Sequence, residues 1–533
     1  MRSCVGIALL AALVSACGSS TTGSAPSEGG PGGDGAAPAD SGASSDGGVT
    51  GDDATAADSG RATDGSPASS DASNHGDGAI PEPVPGCNAP GAPVRAARDF
   101  LDSWGVNAGV SASGAATTAS QLHEIGFRRI RTQLWIETLA DWQALQAAMT
   151  AGGYAKPALR FNTLVGAYNN STITWDNQKA GLIAAGASGL LGSIEGPNEM
   201  NNPNVGMGSH GVNDPTDQTG SWAGPTGNVH NWMSAIRTWR DSLTGSDAKA
   251  LAAVELIAPT IASGLQSDYQ MLPDLGSLVD YGTMHYYAGS GLQPSLEQGA
   301  DNPGVGYFAN LYAWCRSAVS PAAPLVVSEC GATTAPGGTY SLHAQAAYFL
   351  NQMHEAAGIG ARRFYFYTLV DPQTGAAGGS EGNFGMFRSD GGDKDITVAL
   401  ASLKELFSLN DSFDDPSNAR DTGPFQKGYD GCGLQVTGIG AAGYSSRVSD
   451  AVVFMKSDGT TVISVTNEPP LTDGNGNDVA PTPVTARVDL GSSHTWKVYD
   501  PLGAAPLTPT STGTGTSVTV TLAGYPMYVV VAP

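Results

Sequence analysis

The segment Leu190-Leu191-Gly192-Ser193-Ile194-Glu195-Gly196-Pro197-Asn198-Glu199 is an apolar run that ends in a glycine-proline turn and a glutamate. The segment Leu325-Val326-Val327-Ser328-Glu329, far downstream, is a second apolar run that ends in a glutamate. Short apolar runs of this kind, separated by helical patterns, are typical of parallel strands in repeated βα units. Because parallel strands end at one edge of a sheet, we expect the two glutamates to share that edge.

Six further runs of the same kind lie between Cys87 and about Phe407. The eight predicted strands are Trp104–Val110, Phe127–Trp135, Ala158–Phe161, Leu190–Glu195, Leu256–Pro259, Tyr281–Tyr287, Leu325–Glu329 and Phe364–Val370. Helical periodicity occupies, among other stretches, Thr118–Ile125, Ile136–Met149 and Trp232–Leu243. Eight strands in about 320 residues predict a closed (β/α)8 TIM barrel over residues 87–407.

The sequence pattern changes in the last part of the chain, residues 408–533. Alternating segments separated by Gly, Asn, Asp and Pro predict a C-terminal antiparallel β-sandwich, with strands at Ala451–Met455, Thr461–Thr466, Val484–Val488 and Val518–Val531. The segment Asp473–Asp478 resembles part of a calcium loop, but it lacks the glycine at the sixth position and the following glutamate. We therefore expect an ordinary turn there and no metal site.

Residues 1–17 have the features of an export signal. Arg2 precedes the apolar run Val5–Val14, which is too short to span a bilayer, and Val14-Ser15-Ala16-Cys17 resembles the cleavage site of a bacterial lipoprotein. The resemblance implies a lipid on Cys17 that anchors the protein at the bacterial cell envelope, facing the periplasm or the exterior. A plain secretory signal is the alternative, and the choice of membrane stays open.

Residues 18–86 consist mainly of Gly, Ala, Ser, Asp and Pro, with no aromatic residue, no lysine and Arg61 as the one arginine. Such a composition buries too little apolar surface to offset the entropy of ordering, so it predicts a disordered linker. The linker carries a sizeable part of the net charge of −24. That acidity argues against a nucleic-acid partner.

Four cysteines follow the linker: Cys87, Cys315, Cys330 and Cys432. An oxidising compartment permits disulfides between them, and four cysteines allow three connectivities. A bridge from Cys87 to Cys432 would tie the start of the folded part to its C-terminal region, but the sequence does not decide the pairing. The absence of close Cys/His spacing argues against zinc.

Several motifs together resemble clan A of the retaining glycoside hydrolases, with families 5, 39 and 79 as the nearest patterns. Glu195-Gly196-Pro197-Asn198-Glu199 fits the E-x-x-N-E pattern of that clan, and Phe127–Arg131 resembles its second strand, which ends in an arginine. His285-Tyr286-Tyr287 resembles the sixth strand, and Asn383–Gly391 the segment before the last helix. One departure is the eighth strand, Phe364–Asp371, which lacks a tryptophan; Tyr367 is the candidate to replace it.

The resemblance implies roles for these residues. Glu199 would be the acid/base and Glu329 the nucleophile of a double displacement, which needs carboxyl groups about 5 to 5.5 Å apart. Arg131 and a hydrogen bond from Tyr287 would hold the charge of Glu329. Asn198 would bind the sugar 2-hydroxyl, and His285 would line the adjoining subsite. We expect Glu199 to start protonated because it is partly buried beside Glu329.

Other residues have two interpretations. Trp135, Trp222 and Tyr286 would either stack on sugars or pack in the core. Glu195 is expected to be a buried structural partner, for instance of an arginine, and Asp371 to lie at the surface or cap a helix. The alternative function is a surface carbohydrate-binding lipoprotein on a glycosidase-like barrel without turnover. Under either reading we expect a monomer that binds carbohydrate and needs no cofactor.

Overall fold

The computed structural model describes fifteen stretches of the chain. All of them belong to one of the two compact units into which the chain divides, the one made of residues 1–18 and 78–533. The described residues are 94–134, 137–154, 159–165, 175–200, 228–261, 266–287, 308–319, 324–334, 340–371, 383–408, 434–439, 451–456, 458–469, 471 and 478–533. The predicted signal peptide, Cys17 and the predicted linker lie outside them.

Eight parallel strands form the first sheet, in the order β6-β5-β4-β3-β2-β9-β8-β7. They are β2 Trp104–Asn107, β3 Arg129–Thr132, β4 Arg160–Leu164, β5 Leu191–Glu195, β6 Glu255–Ile257, β7 Gly282–Tyr287, β8 Leu325–Gly331 and β9 Arg363–Tyr367. A parallel bridge between Ile257 and Tyr281 joins the two ends of this order, so the sheet closes. The predicted (β/α)8 barrel is confirmed, with a strand at each of the eight predicted positions.

Ten helices are described, most of them between the barrel strands. They are α1 Ala97–Ser103, α2 Ala115–Ile125, α3 Leu139–Ala151, α4 Trp175–Ala187, α5 Asn228–Ser242, α6 Gly245–Leu251, α7 Gln266–Gln270, α8 Phe308–Val319, α9 Leu342–Ile359 and α10 Asp395–Phe407. The predicted helix Ile136–Met149 begins three residues later than expected. Thr138 caps it, since Thr138 and Asp141 form a reciprocal capping box. Among the described helices, none has the length and apolar character needed to cross a bilayer.

The second sheet has seven strands in the order β1-β11-β12-β15-β13-β10, with β14 paired to β13. They are β1 Val94–Ala96, β10 Gln435–Thr437, β11 Ala451–Met455, β12 Thr461–Val465, β13 Val484–Tyr499, β14 Ser511–Leu522 and β15 Met527–Val531. Every pairing is antiparallel except that of β1 with β11. The C-terminal β domain is therefore confirmed, and it takes in β1, a strand from the range predicted for the barrel.

The predicted single strand Val518–Val531 is wrong, because β14 ends at Leu522 and β15 begins at Met527. Gly524 occupies the turn with a φ of +93°. A Cβ on Gly524 would also lie 2.7 Å from Pro481. The run reads as continuous in the sequence because both strands are rich in valine, and a single glycine is a weak signal for a turn.

The barrel and the second sheet share a buried interface. The ring of Phe454 on β11 lies 4.4 Å from Phe100 on α1 and 5.0 Å from Phe407 on α10, measured between centroids. Beside these rings, Asn351 on α9 accepts a hydrogen bond from Thr466 at 3.1 Å and donates one to the carbonyl of Gly524 at 2.9 Å. Apolar rings and hydrogen bonds therefore hold α9, α1 and α10 against this sheet, and one of these bonds comes from the charged Lys456 to the carbonyl of Leu406 on α10 at 3.3 Å.

Cys315 and Cys330 are both free and buried. Burial raises the pKa of Cys315 to about 12, so its thiol stays protonated. Each of the three pairings of four cysteines uses both of these residues, so none of the three is formed in full. Cys87 and Cys432 lie outside the described residues, and a single bridge between them stays a prediction.

Candidate active site

The two predicted catalytic glutamates meet at the barrel mouth, the edge formed by the carboxyl ends of β2 to β9. Glu329 lies on β8, and Glu199 follows β5 by four residues. Glu199 has a φ of +46°, a conformation that costs energy for a residue other than glycine and that clusters at functional sites. Thr260 holds it there, because the amide of Glu199 donates to the Thr260 hydroxyl at 3.2 Å.

The side chains of Glu199, His285 and Glu329 form a compact buried cluster. One nitrogen of the histidine and one oxygen of each carboxylate all lie within 4.8 Å of one another. The three residues are 2%, 5% and 5% exposed. The spacing of the two carboxylates resembles that of a retaining pair, for which about 5 to 5.5 Å is typical.

Arg131 on β3 joins the residues of the mouth through a set of short hydrogen bonds. Its guanidinium donates to both oxygens of Glu195 at 2.9 and 2.8 Å, and to Glu329 at 2.5 Å. It also donates to the side-chain oxygens of Asn107 at 2.9 Å and Asn198 at 2.7 Å. The expectation that Glu195 is the buried partner of an arginine is confirmed, and the arginine is Arg131.

Burial alone would lower the pKa of Arg131, but the charges of Glu195 and Glu329 outweigh it and raise that pKa further. The guanidinium therefore keeps its charge. Since it donates to Glu329, it places a permanent positive charge beside that carboxyl group.

His285 connects Arg131 to Glu199. Its Nε2 lies 3.5 Å from an Arg131 nitrogen, and its Nδ1 lies 2.9 Å from Glu199. Both hydrogens of that Arg131 nitrogen are donated to Glu195 and Asn198, so its approach to Nε2 is a contact and not a third donation. His285 contacts one carboxylate oxygen of Glu199 through Nδ1.

Tyr287 and two other rings line the side of the mouth next to Glu329. The Tyr287 hydroxyl donates to Glu329 at 2.6 Å. The ring of Tyr367, at the end of β9, lies 6.2 Å from that of Tyr287, and the ring of Phe384 lies 5.6 Å from it. The sequence singled out both tyrosines, but it gave Phe384 no role.

A second layer of polar residues supports Glu195, and the sequence analysis missed it. Asn162 on β4 donates to Glu195 at 2.6 Å and accepts from Ser193 at 2.9 Å. Asn107 on β2 supports Arg131, since its side-chain oxygen accepts a hydrogen bond from the guanidinium. A signal was present, because an asparagine in the middle of a short apolar strand is a buried polar group that needs partners.

Several predicted residues have other surroundings or lie outside the described residues. Tyr286 is 2% exposed in the hydrophobic core, so core packing is its role. The expectation that Asp371 lies at the surface or caps a helix is wrong, because it is 8% exposed and paired with Lys394 at 2.9 Å. Trp135 and Trp222 lie outside the described residues, as do residues 473–477 of the turn expected before Asp478.

By distance alone, Glu199, His285 and Glu329 could hold a metal ion. The charge of Arg131 opposes a cation there, since its guanidinium already donates to Glu329. The donor set therefore fits proton transfer better than metal binding.

No protein-family model and no curated protein sequence matches this chain. A solved family 39 glycoside hydrolase from Bacteroides cellulosilyticus WH2 is 15% identical with a TM-score of 0.47, covering 81% of this chain and 82% of its own. A monomeric beta-xylosidase from Caulobacter crescentus CB15 is 13% identical with a TM-score of 0.46, covering 83% and 97%. A family 30 endoxylanase from Clostridium papyrosolvens C71 is 11% identical with a TM-score of 0.42, covering 83% and 98%.

Proposed function

We propose that this chain is a retaining glycoside hydrolase that cleaves O-glycosidic bonds in an extracellular polysaccharide or oligosaccharide. The observation that carries the proposal is the pair Glu199 and Glu329, whose carboxylate oxygens lie within 4.8 Å in a buried barrel mouth. Their environments differ, since Glu329 accepts from Arg131 and Tyr287 while Glu199 contacts His285. Two carboxylates in unlike environments are what an acid and a nucleophile require.

In the first step an oxygen of Glu329 attacks the anomeric carbon. The bond from that carbon to the leaving oxygen breaks, and Glu199 transfers its proton to the leaving oxygen. The product is a glycosyl ester on Glu329. The proton comes from the Glu199 oxygen that is not in contact with His285 Nδ1, so the histidine contact and the proton transfer are compatible.

In the second step Glu199, now a carboxylate, takes a proton from water while the water oxygen attacks the anomeric carbon. The ester bond breaks and Glu329 recovers its carboxylate. In this step the proposed role of His285 is to donate from Nδ1, 2.9 Å away, to the ionised Glu199. Esterification of Glu329 removes its negative charge, which lowers the proton affinity of Glu199 between the two steps.

Asn198 is proposed to bind the sugar 2-hydroxyl. Its side-chain oxygen accepts from Arg131 at 2.7 Å, which directs the amide nitrogen away from the guanidinium. A contact from this nitrogen to the 2-hydroxyl would strengthen as charge develops in the transition state. Tyr367 is the proposed replacement for a tryptophan in the subsite next to Glu329.

The direct test is an array of plant, fungal and bacterial polysaccharides incubated with residues 18–533, which lack the predicted signal peptide and the anchoring Cys17, with reducing ends as the readout. We expect cleavage of one class by the parent and its loss in Glu199→Gln and Glu329→Gln, variants that keep the size of each side chain. Full activity in either variant would overturn the assignment. Binding without cleavage, seen by affinity electrophoresis, would favour the non-catalytic carbohydrate-binding alternative.

We further propose that the protein is exported as a lipoprotein and anchored through Cys17, which would place the barrel outside the membrane with its substrate. The support is the sequence alone, namely the run Val5–Val14 and the small residues before Cys17. Metabolic labelling with a tagged fatty acid should mark the parent and leave Cys17→Ala unlabelled. Equal labelling of both would contradict the anchor.

A further inference from the structure

The segment that carries Phe384 is held by a buried ion pair that the proposed chemistry does not use. Lys394, just before α10, lies 2.9 Å from Asp371, which follows β9, and the two residues are 3% and 8% exposed. Lys394 also donates to the carbonyl of Asn383 and to the hydroxyl of Thr334, each at 3.3 Å. The pair therefore joins three segments of the barrel mouth.

The backbone on both sides of Phe384 is fixed by this arrangement. The amide of Gly385 donates to Asp371 at 2.7 Å, and the carbonyl of Asn383 accepts from the amide of Thr334 at 3.1 Å. Phe384 itself accepts at its carbonyl from the amide of Thr368 at 3.4 Å. Hydrogen bonds therefore hold the backbone at Asn383, Phe384 and Gly385, and they fix the point from which the Phe384 ring extends.

The Phe384 ring packs edge-on against two tyrosines. Its centroid lies 5.6 Å from that of Tyr287 at an interplanar angle of 79°, and 5.7 Å from that of Tyr367 at 70°. Gly331 leaves room for this contact, since a Cβ there would lie 3.2 Å from Phe384 and 2.7 Å from the carbonyl oxygen of Tyr367. Such edge-to-face contacts fix the orientation of the rings.

We propose that the Lys394–Asp371 ion pair positions Phe384 against Tyr287 and thereby fixes the Tyr287 hydroxyl on the carboxylate of Glu329. The proposal rests on the proposed function for Glu329. Phe384, Asp371 and Lys394 are positioning residues in this account, because they act on the nucleophile only through Tyr287. Tyr287 is the group that touches it, at 2.6 Å.

The electrostatics of the pair support a geometric role. Burial raises the pKa of Asp371 and lowers the pKa of Lys394, and in both residues that effect exceeds their mutual attraction. A pair of this kind adds little stability compared with apolar side chains of the same size, but it fixes the positions of the groups that it joins.

Four ionisable side chains face Glu329, and they belong to three other segments. Arg131 comes from β3, His285 and Tyr287 come from β7, and Glu199 follows β5. Cys330, the next residue on β8, stays protonated because burial raises its pKa well above its ordinary value. Displacement of Tyr287 removes one donor to the ionised Glu329 carboxylate and leaves the other neighbours in place, so the acidic limb of the pH profile should move to higher pH.

The test is the pH profile of kcat/KM on the substrate identified by the array. Tyr287→Phe should lower kcat/KM about tenfold to a hundredfold and move the acidic limb up by about one pH unit. Phe384→Ala and the double variant Asp371→Asn/Lys394→Met should move the limb in the same direction. Neither should move it further when combined with Tyr287→Phe, because all of them act through one hydroxyl.

Lys404→Met is the matched control. Lys404 is a second buried lysine, 7% exposed, but it lies on α10 and donates to the carbonyl of His123 on α2. It should change the melting temperature and leave the acidic limb unmoved. An unmoved limb in Phe384→Ala, or additive shifts in combination with Tyr287→Phe, would overturn the positioning role.

A readout without turnover separates this proposal from the proposed function. With 3-fluorotyrosine at position 287, the ¹⁹F resonance should follow the titration of Glu329, and Phe384→Ala should shift the midpoint of that titration. A shifted midpoint in a protein that cleaves no glycoside would sustain the positioning and contradict the function. Turnover in the parent together with an unshifted midpoint in Phe384→Ala would support the proposed function and contradict the positioning role.

Discussion

The barrel mouth and the interface between the barrel and the second sheet are both buried, but they are built from different chemistry. At the mouth, Arg131, Glu195 and Glu329 are charged groups less than a tenth exposed. At the interface, Phe454 contacts other phenylalanine rings and Asn351 makes neutral hydrogen bonds. The effective cost of burying an ion is several kcal/mol, whereas buried apolar area stabilises by about 25 cal/mol per Å².

The comparison indicates a division of roles within one compact unit. The interface is expected to contribute stability, and the mouth is expected to fix the positions of groups at some expense of stability. Substitutions in the two regions should then separate activity from stability.

The largest effect is expected at Arg131, where Arg131→Met leaves Glu195 and Glu329 buried without a cation. The loss should be about 3 to 5 kcal/mol in unfolding free energy, and kcat/KM should fall at least about a thousandfold. Urea unfolding and steady-state kinetics measure the two. Arg487→Met is the matched control, since Arg487 is an exposed partner of Asp489 and should change neither. A stable and active Arg131→Met variant would contradict the proposed role of the charged groups at the barrel mouth.

The next effect concerns the interface. Phe454→Ala removes a side chain that is 0% exposed and should cost about 3 to 5 kcal/mol of unfolding free energy. Because the site lies elsewhere in the barrel, kcat/KM at a temperature where the variant stays folded should remain within about twofold. The control is Val398→Ala, where a 46% exposed side chain on α10 should change stability by less than about 0.5 kcal/mol. A catalytic loss in Phe454→Ala equal to that in Arg131→Met would show that the regions are not separable.

A smaller effect should appear as a pH dependence at Glu137, a buried carboxylate that follows β3. It accepts from the amide of Val110 at 2.6 Å, from the indole of Trp142 at 2.7 Å and from the hydroxyl of Thr132. Burial, with a smaller contribution from the charge of Asp141, raises its pKa to about 7, and the three donors lower it too little to reverse that rise. The folded state therefore holds a proton that the unfolded state releases near pH 4.5.

With the pKa raised on folding, the contribution of Glu137 is largest at low pH and falls as the pH rises through about 7. The difference in unfolding free energy between the parent and Glu137→Gln should decrease by roughly 3 kcal/mol between pH 4.5 and pH 8. Urea titrations of both proteins across this range measure it. A difference that grows with pH would show that the carboxylate is ionised in the folded protein.

The barrel could be predicted from sequence because its signal is local. Most of the strands are short apolar runs between turn residues, and Glu199, Glu329, Arg131 and Tyr287 each fall at or just beyond the end of a strand. Their convergence follows from the closure of eight parallel strands. The contacts of Arg131 and Tyr287 with Glu329 agree with what the family resemblance implied.

What could not be predicted depends on contacts between distant segments. The pairing of β1 with β11 joins residues more than three hundred positions apart, and a three-residue strand carries almost no pattern of its own. Phe384 reaches Tyr287 through a segment without regular structure, where periodicity gives no guidance. The surface position predicted for Asp371 was wrong because an aspartate beyond a strand is usually exposed, and the sequence does not show that Lys394 pairs with it.

The stereochemistry of the first product tests most directly whether Glu199 and Glu329 act in a double displacement. Proton NMR during the first minutes of hydrolysis distinguishes the two anomers before they equilibrate in solution. The spacing within 4.8 Å predicts that the first sugar released keeps the anomeric configuration of the substrate. Release of the opposite anomer would show that water attacks directly, and would contradict the assignment of Glu329 as nucleophile.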